Sequence, residues 1–317
     1  MYLILIAMVL TIPFHFWRLL VKNVFSGLAM KGAGLRPGSL KYDKFLEQCW
    51  LATHYSAIVL LEIYVLRYKT NIWPVSWQPP MSTDKSRMDL IILGGQMESR
   101  KEFEENPWVN LVYLIQFTFY SLELFTLILD RHSRSRSDAF VYAIHHVLTT
   151  FLISMSFLHH SLHIGILVLL FHDIGDIFLP IGKCFSYSED HVKANFSKFA
   201  ATFVEFSGLL FFVLFIIGFA VPRLLLFGSL IHTEICYDSW NSRMASEEGQ
   251  ILTGVHQYHD YPLKSSGPTL ITALFLLYPM HVYWFRLIIR TAINVVFGKY
   301  GDDRSDDEYE PETKKQK

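Results

Sequence analysis

Charge is scarce in this 317-residue chain: Asp, Glu, Lys and Arg make up 18% of it, where a soluble domain carries about a quarter. A surface so poor in charge cannot be wholly wetted. Neither sign is in excess, since 28 Lys and Arg face 29 Asp and Glu. That balance argues against a nucleic-acid partner, which needs a basic surplus. Only three cysteines occur, Cys49, Cys184 and Cys236, far apart and without a C-x-x-C pair. Neither a disulfide framework nor a zinc ribbon is expected from them. No internal repeat is found. The opening run MYLILIAMVL lacks a basic n-region and a small-residue cleavage site, so it reads as a retained anchor rather than a removed signal peptide.

What the chain has in quantity is apolar. With 51% hydrophobic and 15% aromatic residues, disorder is excluded before residue 300. A helix crossing the hydrocarbon core needs ~20 mostly apolar residues. Seven runs qualify, roughly 1–17, 45–66, 108–129, 139–158, 161–180, 199–221 and 268–289. The expected fold class is an all-α integral membrane protein with about seven transmembrane helices. Lys and Arg then set the orientation. Placing the N-terminus in the lumen puts 18 of them on the cytosolic segments 18–44, 131–138, 181–198 and 290–317, against 9 in 67–107 and 222–267. The C-terminus is therefore expected in the cytosol. Pro222, Arg223 and the following LLLF are compatible with a re-entrant piece.

The chain divides into an anchor helix and cytosolic linker (1–44), a transmembrane domain (45–290) and an acidic cytosolic tail (291–317). The tail from Lys299 is charged and expected to be disordered. Ser305, followed by Asp306, Asp307 and Glu308, suits an acidophilic kinase, or is part of a solvating acidic stretch. Lys314-Lys315-Gln316-Lys317 looks like a dilysine signal for retrieval to the endoplasmic reticulum.

Ionisable side chains inside a span are costly, which makes each a functional candidate. The fourth run carries His145 and His146 with Thr149 and Thr150; the fifth carries His172, Asp173 and Asp176. His159, His160 and His163 lie between them. His172 and Asp176 are i,i+4 and Asp173 and Asp176 are i,i+3, so the three share one arc of a helix. His145 stands six residues past Ala139, about 9 Å into the membrane, and Asp173 seven residues before Pro180, about 10 Å from the same face. A short link near 159–161 makes the two helices antiparallel neighbours, so the His pair and the HD-x-x-D cluster should meet at one level.

Three readings fit such a cluster. It is a hydrogen-bond network holding two helices, a His/carboxylate metal site, or an acyl-transfer centre. In the last, imidazole serves as base or nucleophile, a carboxylate orients it, and a dry surrounding keeps water from an activated acyl group. As a metal site it is incomplete, since HH-x-x-H at 159–163 only partly echoes the His boxes of membrane di-iron oxygenases.

The residues His145-His146-Val-Leu-Thr149, Ser156-Phe157, Gly165, Leu167-Val168-Leu169, His172-Asp173, Asp176 and Lys183 resemble the Lag-type motif of the ceramide synthase family, whose catalytic unit is the TLC domain. KFLEQCW (44–50), IQFTFYSLELF (115–125) and the acidic stretch Asp302-Asp303-Arg304-Ser305-Asp306 after Gly298 are similar to further family sequences. The resemblance spans about 40–310. It implies an endoplasmic-reticulum N-acyltransferase that joins a fatty acyl-CoA to a sphingoid base, with acyl-CoA as co-substrate and no bound cofactor or metal. It carries the catalytic roles to His145, His146, His172, Asp173 and Asp176. His145 is preferred as acyl acceptor, and His146 or His172, oriented by Asp173 or Asp176, as the base for the incoming ammonium. Direct attack without an acyl-imidazole stays open.

Candidate substrate contacts are Arg131, Arg134, Arg136, Lys183 and Thr149, the basic ones (joined by Lys193 and Lys198) facing CoA phosphates, although positive-inside bias alone accounts for such charge. Departures from the family pattern occur at His159-His160, His163 and Pro180, off the inner cluster. Only 18–44 separates the first two runs, too little for a homeobox-like insert, so the chain resembles the homeobox-less branch. Glu62, Glu123 and Glu205 are further intramembrane acids, lining a cavity or packing helices. Asn195-Phe-Ser197 is a glycosylation sequon on the expected cytosolic side. The alternatives are a non-enzymatic lipid-binding or trafficking protein of the same domain family and a His-rich membrane lipid hydroxylase. Expected partners are membrane lipids, acyl-CoA and a sphingoid base; a homo-oligomer or accessory subunit is left open.

Overall fold

The computed structural model describes residues 2–70, 105–129, 139–158, 162–232 and 267–297. Among them are eight α-helices and no strand: α1 (Tyr2–Lys31), α2 (Leu40–Tyr64), α3 (Pro107–Leu129), α4 (Ala139–Leu158), α5 (Leu162–Asp176), α6 (Phe178–Asn195), α7 (Lys198–Phe219) and α8 (Gly267–Val296). Two run on as π-helix, α2 through Val65–Lys69 and α7 through Ala220–Leu226, after which 227–232 is α-helical again. Six stretches are long and apolar enough to cross a membrane: Leu40–Lys69, Pro107–Ile128, Phe140–Leu158, Ile164–Asn195, Lys198–His232 and Thr269–Val296. With α1 they correspond to the seven runs read from the sequence. The protein is a multi-pass helical membrane protein.

Outward faces are apolar because lipid, not water, meets them. On α7 the exposed side chains Phe199, Phe203, Phe206, Leu210, Val213 and Ile217 recur at steps of four and three, one stripe of a helix. Two side-chain caps are polar: Ser39 accepts from the Tyr42 amide at 3.2 Å to start α2, and Ser197 accepts from Ala200 at 3.2 Å to start α7. α1 packs on α2 and α3. Glu47 of α2 holds it by accepting from Arg18 and Lys22 of α1, each at 2.5 Å.

Two stretches are more regular than their sequence suggests. Residues 181–198, expected as a cytosolic segment, are all helical except Phe196 and Ser197, and only Ile177 separates α6 from α5. Pro180 does not end the run, because it falls in the first turn of α6, where an N–H has no intrahelical acceptor to lose. The polar run SYSEDHVKAN is helical because α6 lies along α7, with Gly182 set over the Phe211 Cβ at 3.5 Å from the site of a methyl group. Likewise, Pro222 and the residues after it form no re-entrant piece. They continue α7 as π-helix, whose i→i+5 ladder absorbs the missing proline donor, and Arg223 is turned inward and buried. The cysteines also differ from their sequence spacing: Cys49 of α2 and Cys184 of α6 are free thiols with sulfurs 3.7 Å apart.

α5 and α7 cross at Gly175 and Gly218. A methyl group on Gly175 would sit 2.8 Å from the Gly218 carbonyl oxygen, and one on Gly218 would sit 3.3 Å from Gly175 Cα. Backbone cannot step aside as a side chain can, so the small residues set this close approach. Gly175→Ala is expected to cost about 1–3 kcal/mol through overpacking. Gly27→Ala, with nothing within 4 Å, is the control and should be neutral or stabilising. Thermal unfolding in detergent measures both, and equal midpoints for the two variants would contradict the crossing.

Candidate active site

Successive residues on a helix point about 100° apart, so neighbours in sequence serve different partners. His145 and His146 are separated in this way: their rings are 5.6 Å apart and nearly perpendicular. His145 faces α5 and α8, with the His172 ring at 6.4 Å, the His281 ring at 6.2 Å and Trp284 edge-on at 5.0 Å. His146 faces Tyr142 at 4.3 Å and Tyr120 of α3 at 5.8 Å. Thr149, one turn further along α4, is buried with no hydrogen-bond partner for its hydroxyl among the described residues.

The same geometry splits α5. His172 turns toward α8: Nδ1 lies 2.5 Å from the Val168 carbonyl and Nε2 lies 3.0 Å from Nε2 of His281. Asp173 turns toward α3, where Gln116 Nε2 donates to Oδ2 and the Tyr120 hydroxyl donates to Oδ1 at 3.2 Å. Gln116 also donates to Glu62 of α2 at 2.8 Å, so one amide nitrogen spends its two protons on two carboxylates. Asp173, Glu62, Gln116 and His281 are all fully buried. Asp176 accepts from Arg223 Nη2 at 2.5 Å. That guanidinium also donates to the His172 carbonyl from Nε at 3.1 Å and from Nη2, which places a cation against the C-terminal turn of α5.

Asp173 and the imidazoles thus lie on adjoining faces, as the depth reading anticipated for α4 and α5. His172, however, takes its orientation from a carbonyl and a fourth histidine, not from an aspartate. Behind Asp173, Tyr113 braces the far end of α4 and α5: its hydroxyl donates to the Leu162 carbonyl at 3.2 Å and accepts from Ser156 at 3.1 Å. A methyl group on Gly165 would fall 1.7 Å from that hydroxyl, so no larger residue fits there.

Other expected groups are dispersed. Lys183 is half-buried on α6, seven residues past Asp176. Lys193 meets Glu189 and, at 3.7 Å, Glu205, which is an exposed ion-pair member and not a cavity liner. Glu123 is half-buried on α3. Arg131, Arg134, Arg136, His159, His160, Ser305 and the tail lie outside the described residues, as does the side chain of His163. Among the described residues no three His, Cys, Asp or Glu side chains are set to share a metal ion.

Three members of the centre escaped the sequence reading. His281 stands in the last run and obeys the rule that singled out the others, an ionisable group at membrane depth. Gln116 carries no charge, so a search for charges passes over it. Arg223 follows a proline, which made its helix look broken.

The fold and the centre define a multi-pass membrane protein with buried histidines and carboxylates gathered where α3, α4, α5 and α8 meet. Residues 44–290 match the TLC domain, and the chain belongs to that family. It is 30% identical over 275 residues to ASC1-like protein 1 of Oryza sativa subsp. japonica, covering 86% of this chain and 76% of the relative. It is 29% identical over 286 residues to ceramide synthase LOH1 of Arabidopsis thaliana, covering 87% and 78%. With the sphingosine N-acyltransferase-like protein FUM17 of Gibberella moniliformis it shares 25% over 170 residues, 54% of this chain but 39% of that protein's length.

Proposed function

We propose that the protein is a ceramide synthase, which moves a fatty acyl group from acyl-CoA to the amine of a sphingoid base and releases CoA. The observation that carries this reading is the burial of His145 and His172 beside Asp173 in a TLC-domain chain. The names of its relatives support it at the level of the family. In the proposed chemistry His145 attacks the thioester carbonyl. The C–S bond breaks as the C–N bond to imidazole forms, and the imidazole proton goes to the departing thiolate. The sphingoid amine, once its ammonium has lost a proton to a neighbouring imidazole, attacks the acyl carbon and displaces His145. Asp173 and Asp176 act by position, the first tying α5 to α3 and the second holding Arg223 on the His172 carbonyl. A site this dry keeps water from competing for the acyl group.

No bound cofactor is needed for these steps. Acyl-CoA is the co-substrate, with Lys183 and the arginines at 131, 134 and 136 assigned to its phosphates. The resemblance of the motif favours the endoplasmic-reticulum membrane, and the distribution of Lys and Arg favours a lumenal N-terminus with Ser305 as a modification site in the cytosol. Expression in membranes lacking ceramide synthase activity, supplied with sphinganine and a panel of acyl-CoAs, is expected to give ceramide by mass spectrometry. A well-folded protein that yields none from any acyl-CoA overturns the reading and favours a lipid-binding role.

A further inference from the structure

Two contacts fix where the protons sit on a pair of buried rings. The Val168 carbonyl can only accept, so Nδ1 of His172, 2.5 Å away, is the donor. A neutral imidazole has a single N–H, which leaves a lone pair on His172 Nε2. That lone pair faces Nε2 of His281 at 3.0 Å, and two lone pairs cannot make a hydrogen bond, so His281 Nε2 carries the proton. The only proton of neutral His281 is thereby committed, and its Nδ1 is basic. Nδ1 is buried and has no hydrogen-bond partner among the described residues. Both nitrogens of His172, by contrast, are occupied.

We infer that Nδ1 of His281 takes the proton from the sphingoid ammonium, and that His172 serves as its relay and not as the base. This deepens the ceramide synthase reading and rests on it. The ammonium gives one proton to His281 Nδ1. The imidazolium so formed already directs its Nε2–H at the lone pair of His172, which stabilises the cation and can share its proton. The neutral amine forms the C–N bond to the acyl carbon. Its nitrogen then gives a second proton to the departing imidazole of His145, which is regenerated. The His281 proton passes to solvent between turnovers, so the sum is amide, CoA thiol and one proton.

Among the described residues, the titratable and charged groups around His281 are His172 of α5, His145 of α4 with its ring at 6.2 Å, and Arg223 beyond the end of α7, itself paired with Asp176. Phe227 at 5.4 Å and Phe219 at 6.2 Å pack against the same ring. A base among aromatic rings competes with little water for the substrate proton.

The test is His281→Gln in the full chain, in membranes, with sphinganine and the acyl-CoA that the wild type uses best. Glutamine keeps an N–H for His172 Nε2 but offers no basic nitrogen. The kcat is expected to fall about 100-fold or more with KM for sphinganine within about threefold, the usual scale for losing a positioned base. The acid limb of the kcat–pH profile should change in the residual activity, because it then reports His145 alone. A glutamine variant within about threefold of wild-type kcat, with the wild-type acid limb, overturns the inference: His281 then only holds the ring of His172. If the glutamine protein does not accumulate, His281→Ala is assayed with added imidazole, where a concentration-dependent gain supports the base and no gain overturns it. Absence of ceramide from the wild type is a different failure and sinks the underlying reading instead.

Discussion

Changing His145 to Ala is expected to lower ceramide formation by on the order of 10³-fold, with the protein still present at wild-type abundance. The reason is the direction in which each histidine of the pair points. His145 looks into the cluster of His172, His281 and Trp284, and its Nδ1 is a buried nitrogen that no described group engages. His146 is packed between Tyr142 and Tyr120 on the side of α3. Removing the first ring takes away a nucleophile. Removing the second also opens a hole in an aromatic stack, so His146→Ala should lose thermal stability along with activity. Ceramide measured by mass spectrometry and normalised to protein level, together with an unfolding midpoint for each variant, checks both statements. Wild-type output from His145→Ala at matched abundance would end its role as acyl carrier.

The second large effect is expected at a position with no part in the chemistry. Arg223→Met should destabilise the protein by about 1–3 kcal/mol, the scale for leaving a buried carbonyl and a half-buried carboxylate without their donor. Arg223 is 5% exposed and its guanidinium donates three hydrogen bonds, two to the His172 carbonyl and one to Asp176. Methionine fills much of the volume but removes the Arg223 cation from Asp176 and a donor from the His172 carbonyl. Changing Asp176 to Leu in the same protein removes the other half of the pair, so the double variant should recover part of the loss. Thermal unfolding in detergent compares the single and double variants. A single variant as stable as wild type would contradict the buried bridge.

Much of this was legible because hydropathy and the rarity of ionisable groups are local properties. The apolar runs outlined the six membrane-length stretches and α1, since lipid demands about twenty apolar residues whatever lies next to them. His145, His146, His172, Asp173 and Asp176 stood out because a polar side chain at membrane depth is expensive to keep. The errors came where a residue behaves differently beside a neighbour. SYSEDHVKAN has the composition of a loop, yet it is helical along α7. Pro180 and Pro222 suggested breaks, yet one falls in a first turn and the other in a π-helical stretch.

By itself, then, the sequence determined the class of fold, the number and rough limits of the apolar helices, and the two helices that carry the paired histidines and the His-Asp cluster. Tertiary structure alone decided the partners: Gln116 between Glu62 and Asp173, Arg223 on Asp176, and His281 against His172. The physical reason is rotation. A helical pattern states which residues share an arc, but the angle at which that arc meets its neighbours is set by close approaches such as Gly175 on Gly218, made by residues far apart in the chain.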